Sequence, residues 1–273
     1  MPIILAIETS SEMASCALLR GGEVIFRESS GVRTHSQSVL PMVQELLDEA
    51  GIALRDCDAI AYGAGPGSFT GVRTACGISQ GLGFGAELPL VPVVTLDAMA
   101  LACRQAHGAD AVLAVLDARM NEVYWAQYRF DGDAPVATLE PALSAPQDVV
   151  PAPGALAAAP VAASAGAAAA ASAGAAAAAS AGAAASAPSG SAASALAACG
   201  NGFSAYPDAF AGKAFAAGAH ANIMPHAVQI AQLGARLFEA GHAVPAAQAQ
   251  PLYLRNKVAY TKEERAEMKA SQA

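Results

Sequence analysis

Gly63-Ala64-Gly65-Pro66-Gly67-Ser68-Phe69-Thr70-Gly71-Val72-Arg73 is the stretch on which the reading of the chain turns. An apolar run, Ala59-Ile60-Ala61-Tyr62, leads into it, and a long run of small residues follows. Glycines at 63, 65 and 67 permit backbone angles that a side chain would forbid, and Pro66 stiffens the loop between two of them. Ser68 and Thr70 are residue types that cap a helix start, so unpaired amides are expected to point out of the loop. Such a loop suits an anion or a tight helix–helix contact, and its residues alone do not choose between the two.

Upstream, residues 3–7 read as a buried strand ending at Glu8-Thr9-Ser10-Ser11. Residues 14–19 and 23–29 supply two more strands, with Gly21-Gly22 as the hairpin turn between them. Three consecutive strands, the first ending in an acid and hydroxyls, are how a nucleotide-facing lobe of the actin-like ATPase class begins. A plain polar turn is the alternative reading of residues 8–11. Residues 35–49 predict a helix with Val39, Val43, Leu46 and Leu47 on one face. Pro41 would break an established helix, so the regular part is expected from about Ser38, with the proline in its first turn. His35 then lies at or before the helix start, a capping or surface position rather than a metal ligand.

Downstream of the loop, residues 70–83 predict a second helix carrying Gly71, Gly77, Gly81 and Gly83. Each glycine inside a helix costs roughly 1 kcal/mol relative to alanine. So many imply a backbone packed close to something: its own sheet, or another helix, within the chain or in a partner. Residues 89–94 and 96–106 follow as strand and helix. Strands at 111–116 and 122–130 flank Asp117-Ala118-Arg119-Met120-Asn121 and open a second lobe, with Asp131-Gly132-Asp133 as a turn.

From 154 to 198 a Ser-Ala-Gly-Ala unit recurs at Ser164, Ser172 and Ser180, which reads as a low-complexity loop without chemistry. Structure is expected to resume at the turn Cys199-Gly200-Asn201-Gly202, and a helix follows over 225–240. Pro251-Leu252-Tyr253-Leu254-Arg255-Asn256 leads into a charged tail. The expected division is a lobe over 1–106, a second lobe over 107–245 interrupted by the insert 154–198, and a tail over 246–273.

The chain has 273 residues, 23 Asp and Glu against 15 Lys and Arg, and a formal net charge of −8. A chain that grips nucleic acid unaided normally carries a basic surplus, so the balance argues for a role beside an RNA binder rather than as one. From Leu252 onward the balance reverses, five basic residues against three acidic ones, and only there is contact with RNA or an acidic partner electrostatically easy. A solvated terminal helix is the plainer reading of that tail. The five scattered cysteines form no CxxC pair and read as buried thiols in a reducing compartment. No basic leader precedes the first strand, and the Ala-rich region is too polar for a membrane span; the expectation is a soluble cytoplasmic protein.

Catalytic constellations are scarce. Histidines 35, 107, 220, 226 and 242 form no HExxH or HxxxH pair, and neither a GxSxG elbow nor a GxxxxGK[ST] loop occurs. The stretch from Gly65 to Gly71 lacks the lysine that would meet a nucleotide's phosphates.

Four motifs in order carry a resemblance: Ile7-Glu8-Thr9-Ser10; Tyr62 to Arg73; Asp117-Ala118-Arg119-Met120 with Glu122-Val123-Tyr124; and Pro251 to Arg255. Together they resemble the TsaB (YeaZ) family, the bacterial dimerisation subunit of the machinery that makes threonylcarbamoyladenosine in tRNA. The resemblance implies an α/β, two-lobed actin-like ATPase (ASKHA) fold with mixed sheets flanked by helices. It implies a non-catalytic subunit that dimerises with the catalytic paralogue TsaD, with the ATPase TsaE joining and tRNA met only indirectly. TsaD holds a metal through two histidines four apart; the matching positions here are Thr95 and Met99, and neither is a competent replacement. No metal, no cofactor and no catalytic residue are therefore expected.

The partner interface is expected on the helices 38–49 and 70–83, with Met42, Leu46, Thr70, Arg73, Gly77 and Ile78 as candidates, and the isolated chain could homodimerise through the same helices. Glu8, Thr9, Ser10, Gly65 and Gly67 are the nucleotide-facing candidates, for weak ATP or ADP binding at most. The alternative is a peptidase-like or ATP-hydrolysing enzyme in its own right.

Overall fold

A computed structural model describes residues 1–29, 35–152 and 196–255. The chain opens with β1 (Ile4–Glu8), β2 (Ala14–Arg20) and β3 (Glu23–Ser29), an antiparallel meander whose second turn at Gly21-Gly22 has φ of +60° and +89°. After α1 (His35–Ala50), β4 (Ala59–Gly65) pairs parallel with β1. Then α2 (Phe69–Ala86) leads to β5 (Leu90–Val94), parallel to β4. The sheet order is β3-β2-β1-β4-β5.

Every residue of β1 and β4 is buried, because helices cover both faces of the sheet. The pleat sorts them: Leu5 and Ile7 pack with Val43 and Leu46 of α1, while Ile4 and Ala6 pack with Ile230 and Ala231 of a later helix.

Next, α3 (Thr95–His107) enters a second sheet made of β6 (Ala111–Arg119), β7 (Glu122–Asp131), β8 (Ala134–Ser144) and β9 (Leu196–Cys199), in the order β8-β7-β6-β9. Helix α3 is the wedge between the sheets. Its Ala98 and Leu101 pack with Ile4 and Ala6 on the later helix's side of the first sheet, and its Leu96, Met99, Ala100 and Cys103 complete the core of the second. Two short helices, α4 (Gly202–Ala205) and α5 (Pro207–Phe210), place Phe203 and Phe210 on the far face of the second sheet. Helix α6 (Ala227–Glu239) then returns to the first sheet and supplies Ile230 and Ala231. The result is the α/β arrangement of two mixed sheets flanked by helices that the motifs led us to expect.

Several local expectations change. Helix α1 begins at His35, which leaves Pro41 in its interior rather than in the first turn. A mid-helix proline costs ~3 kcal/mol, while burying a Leu, Val or Met side chain returns about 1.5–3 kcal/mol. Val39, Met42, Val43, Leu46 and Leu47 are all buried, so packing outweighs the break. Strand β8 was not expected; it carries Pro135 and Pro141, which only an edge strand tolerates, and β8 is an edge. Leu196–Cys199, assigned from sequence to the insert and the turn after it, forms β9 against β6. Residues 154–195 of the expected insert and the tail from Asn256 onward lie outside the described residues. Among the described residues no helix is long and apolar enough to cross a membrane.

Candidate functional site

The end of β1 and the glycine loop are locked together by backbone and hydroxyl contacts. The Thr9 hydroxyl donates to the Gly71 carbonyl at 2.6 Å, and the Ser68 amide donates to the Ser10 carbonyl at 2.7 Å. Gly71 has to be glycine: a Cβ there would stand 1.9 Å from the Thr9 carbonyl oxygen. Gly65, with φ of +106°, donates its amide to the Thr95 hydroxyl at 3.2 Å. Gly67 lies directly over the buried Ser10 side chain.

Glu8 lies beneath this loop and does not face solvent. It is fully buried, its Oε1 accepts the Ser10 amide, and its Oε2 has no hydrogen-bond partner among the described residues. Burial pushes the carboxyl above its ordinary 4.5, opposed by the hydrogen bonds from Ser10 and Thr9. Its contribution to stability is fully present below pH 4.5 and is lost as pH rises through the raised folded value. Glu8→Gln removes the charge and keeps the shape. Its melting temperature is expected to gain on the parent's progressively between pH 4 and pH 8. A constant difference across that range would show that the fold does not raise the Glu8 carboxyl above its ordinary value.

The loop forms one wall of a cleft of about 550 Å³ between the lobes. Ser10, Ser11 and Gly67 line it on the first-sheet side, and Asp117, Arg119 and Tyr124 on the second. So Ser10 and Gly67 of the nucleotide-facing set line the cleft. Glu8, Thr9 and Gly65 hold its wall from behind.

Thr95 and Met99 are both fully buried. The Thr95 hydroxyl is engaged with Gly65, and the Met99 methyl packs against Gly200, within 2.6 Å of where a Cβ there would stand. The two positions are filled by the packing of α3 between its neighbours. Among the described residues no three His, Cys, Asp or Glu side chains come together as a metal would need.

The outer face of α2 sorts the interface candidates. Thr70, Arg73 and Gly77 are exposed, and Ile78 is half-buried against the first core. Met42 and Leu46 belong to that core, at 6% and 0% exposure, so neither presents a side chain outward. The 3.6-residue period that made them look like a contact face is the inward face of α1. The helix's glycines also divide. Gly71 and Gly83 press against neighbouring atoms, while Gly77, Gly81 and Gly85 have nothing within 4 Å of a built Cβ and form an open stripe. Phe84, 81% exposed, stands beside that stripe, and Leu40 of α1 is half exposed. Sequence reasoning missed both; the four-residue spacing of Gly77, Gly81 and Gly85 puts them on one helix face without telling which way that face looks.

It also missed how the strap 249–255 runs along α2. Gln80 Nε2 donates to the Ala249 carbonyl at 3.0 Å, and the Leu252 amide donates to the Ala64 carbonyl at 2.7 Å. Arg73 Nε donates to the Tyr253 hydroxyl at 2.8 Å, and the guanidinium stacks on Phe69 with its carbon 3.4 Å from the ring centre. Arg73 is therefore engaged within the chain as well as exposed.

Comparisons with known proteins agree with this geometry. A family model described as TsaD, tRNA N6-adenosine threonylcarbamoyltransferase, matches residues 25–272. The tRNA threonylcarbamoyladenosine biosynthesis protein TsaB of Haemophilus influenzae is 51% identical over 124 residues, 45% of this chain and 52% of that protein. The Escherichia coli protein of the same name is 49% identical over 144 residues, 50% of this chain and 62% of that protein. The chain thus spans between half and two thirds of the length of these curated relatives. Two solved Pseudomonas aeruginosa structures match more broadly, each over 93% of this chain and all of its own length. One, described as an uncharacterized protein with similarity to peptidase YEAZ, has 34% identity and a TM-score of 0.73. The other, YeaZ, has 33% identity and a TM-score of 0.71. Matched over 93% of its length by a solved YeaZ and over most of it by the threonylcarbamoyltransferase family model, this chain belongs to the TsaB (YeaZ) family.

Proposed function

We propose that the chain is a non-catalytic subunit required for threonylcarbamoyladenosine formation at position 37 of ANN-decoding tRNAs. It acts by dimerising with TsaD and holding that paralogue in its active arrangement, with TsaE joining the complex. The observation that carries the reading is the open stripe Gly77, Gly81 and Gly85 flanked by Phe84, since an exposed helix face without side chains lets a second helix approach closely. The names of the curated relatives support the pathway. The engaged Thr95 and Met99 support a scaffold role, because neither side chain is free to hold an ion. Co-purification of the full chain with TsaD, with and without TsaE and nucleotide, tests it. A stable complex at micromolar concentration, with tRNA modification that depends on this chain, is the expected result. Absence of a complex, or full modification without the chain, would overturn it.

A second reading, a nucleotide-binding module without turnover, is favoured by the size of the interlobe cleft. Calorimetry with ATP and ADP decides it, with weak binding or none as the expected outcome. The similarity of one solved relative to a peptidase motivates a third test, casein-type hydrolysis together with bound-metal analysis. Turnover with stoichiometric metal would replace the scaffold reading.

A further inference from the structure

Two sequence motifs have no part in the function proposed above, and they touch each other. Arg119, Met120 and Asn121, in the turn between β6 and β7, all have positive φ, +61°, +59° and +58°. A left-handed residue other than glycine costs roughly 1–2 kcal/mol, so three in a row need support from outside the turn. Part of it is local: Asp117 Oδ1 accepts the Arg119 amide and the Tyr206 hydroxyl, each at 2.8 Å. The rest comes from the strap. Arg255 donates to Glu122 Oε2 and to the Arg119 carbonyl, the latter at 3.2 Å, and lies against Met120 Sδ at 3.2 Å. The other end of the strap is tied to the first lobe through Ala64, Tyr62, Gln80 and Arg73. From Pro251 to Arg255 the strap has no helix or strand hydrogen bonds, so its position is set by these anchorages together with Leu254, which packs against the second core.

We propose that the Pro251–Arg255 segment is a clasp, closing the interlobe cleft by tying α2 and the glycine loop to the strained β6–β7 turn. Helix α3 joins the lobes as their packed wedge, and the clasp spans the cleft between them. The exposed Arg119–Glu12 ion pair, 3.0 Å across the same opening, is too solvated to hold it alone. The same α2 side chains that hold the strap, Arg73 and Gln80, border the open glycine stripe, so the clasp also couples the cleft to that face. This inference does not depend on which partner occupies the face.

Hydrogen exchange of the full chain, read by mass spectrometry, tests it with Arg255→Ala. Exchange is expected to accelerate about tenfold both in 117–124 and in 63–71, at the two ends of the strap, with β1 unchanged. Glu122→Gln attacks the same anchorage from the other side with a milder substitution, and is expected to move the same two segments less. It carries the test if the alanine variant does not fold. Acceleration confined to 117–124 would make Arg255 a prop for its turn alone and overturn the clasp. So would acceleration spread evenly through β1, or no acceleration at all.

Discussion

Gly81→Arg is expected to abolish co-purification with TsaD while the isolated chain keeps its fold and its melting temperature. A built Cβ at Gly81 meets nothing within 4 Å, so arginine has room in the monomer, and losing a helical glycine is itself worth up to ~1 kcal/mol of stability. In a complex that uses the stripe, the same side chain would hold two helix backbones apart and bury a charge. Losses at the centre of an interface reach ~2–4 kcal/mol, so the affinity should fall about a hundredfold or more. Phe84→Ala is expected to weaken the complex without disturbing the monomer, because Phe84 is exposed and outside the core. Ala240→Arg, exposed just past the end of α6, is the matched control for added charge. Wild-type stoichiometry with Gly81→Arg, measured by analytical ultracentrifugation, would remove α2 from the interface.

Gly71→Ala is expected to be among the most damaging single-methyl additions in the chain. Its Cβ would stand 1.9 Å from the Thr9 carbonyl oxygen, 2.9 Å from its carbon and 3.2 Å from the Ser10 Cα, all backbone atoms that cannot swing aside. Relief requires the β1 end and the start of α2 to part. That would strain or break the Thr9 hydroxyl bond to Gly71 and the Ser68 amide bond to Ser10. A buried bond lost with its partner unsatisfied costs ~1–3 kcal/mol, so a total of about 3–5 kcal/mol is expected, or roughly 10 °C in Tm for a chain of this size. Gly77→Ala, on the same helix with open space around it, should instead hold or raise Tm. Equal melting temperatures for the two variants would mean that the loop and the β1 end are not in contact as described.

The contrast between these two glycines marks how far sequence reaches. That α2 carries too many glycines was plain from composition, and a close contact was the correct inference for Gly71 and Gly83. That Gly77, Gly81 and Gly85 face open space was not legible, because a missing side chain has no polarity to reveal its direction. Met42 and Leu46 show the same limit from the other side. A helical apolar stripe looks alike whether it faces a partner or its own sheet, and here it faces the sheet. Thr95 and Met99 were read as residues unable to bind metal. Their positive roles, holding Gly65 and filling the space beside Gly200, needed neighbours thirty and a hundred residues away.

What the sequence determined by itself was local and periodic: the opening meander with its Gly-Gly turn, the loop before α2, and the alternation of strand and helix through α3. Short-range sterics and hydrophobic period specify those elements directly, and the ordered motifs carried the family. The tertiary structure alone decided what depends on distant partners. Strand β8 hides behind its prolines because an edge position excuses them, and β9 hides at the end of an alanine-rich run because β6 gives it its pairing. Helix α6 joins the first sheet although its sequence neighbours belong to the second, and Arg255 meets Glu122 across more than a hundred intervening residues. In each case the deciding energy is burial or pairing with a segment that sequence proximity does not indicate.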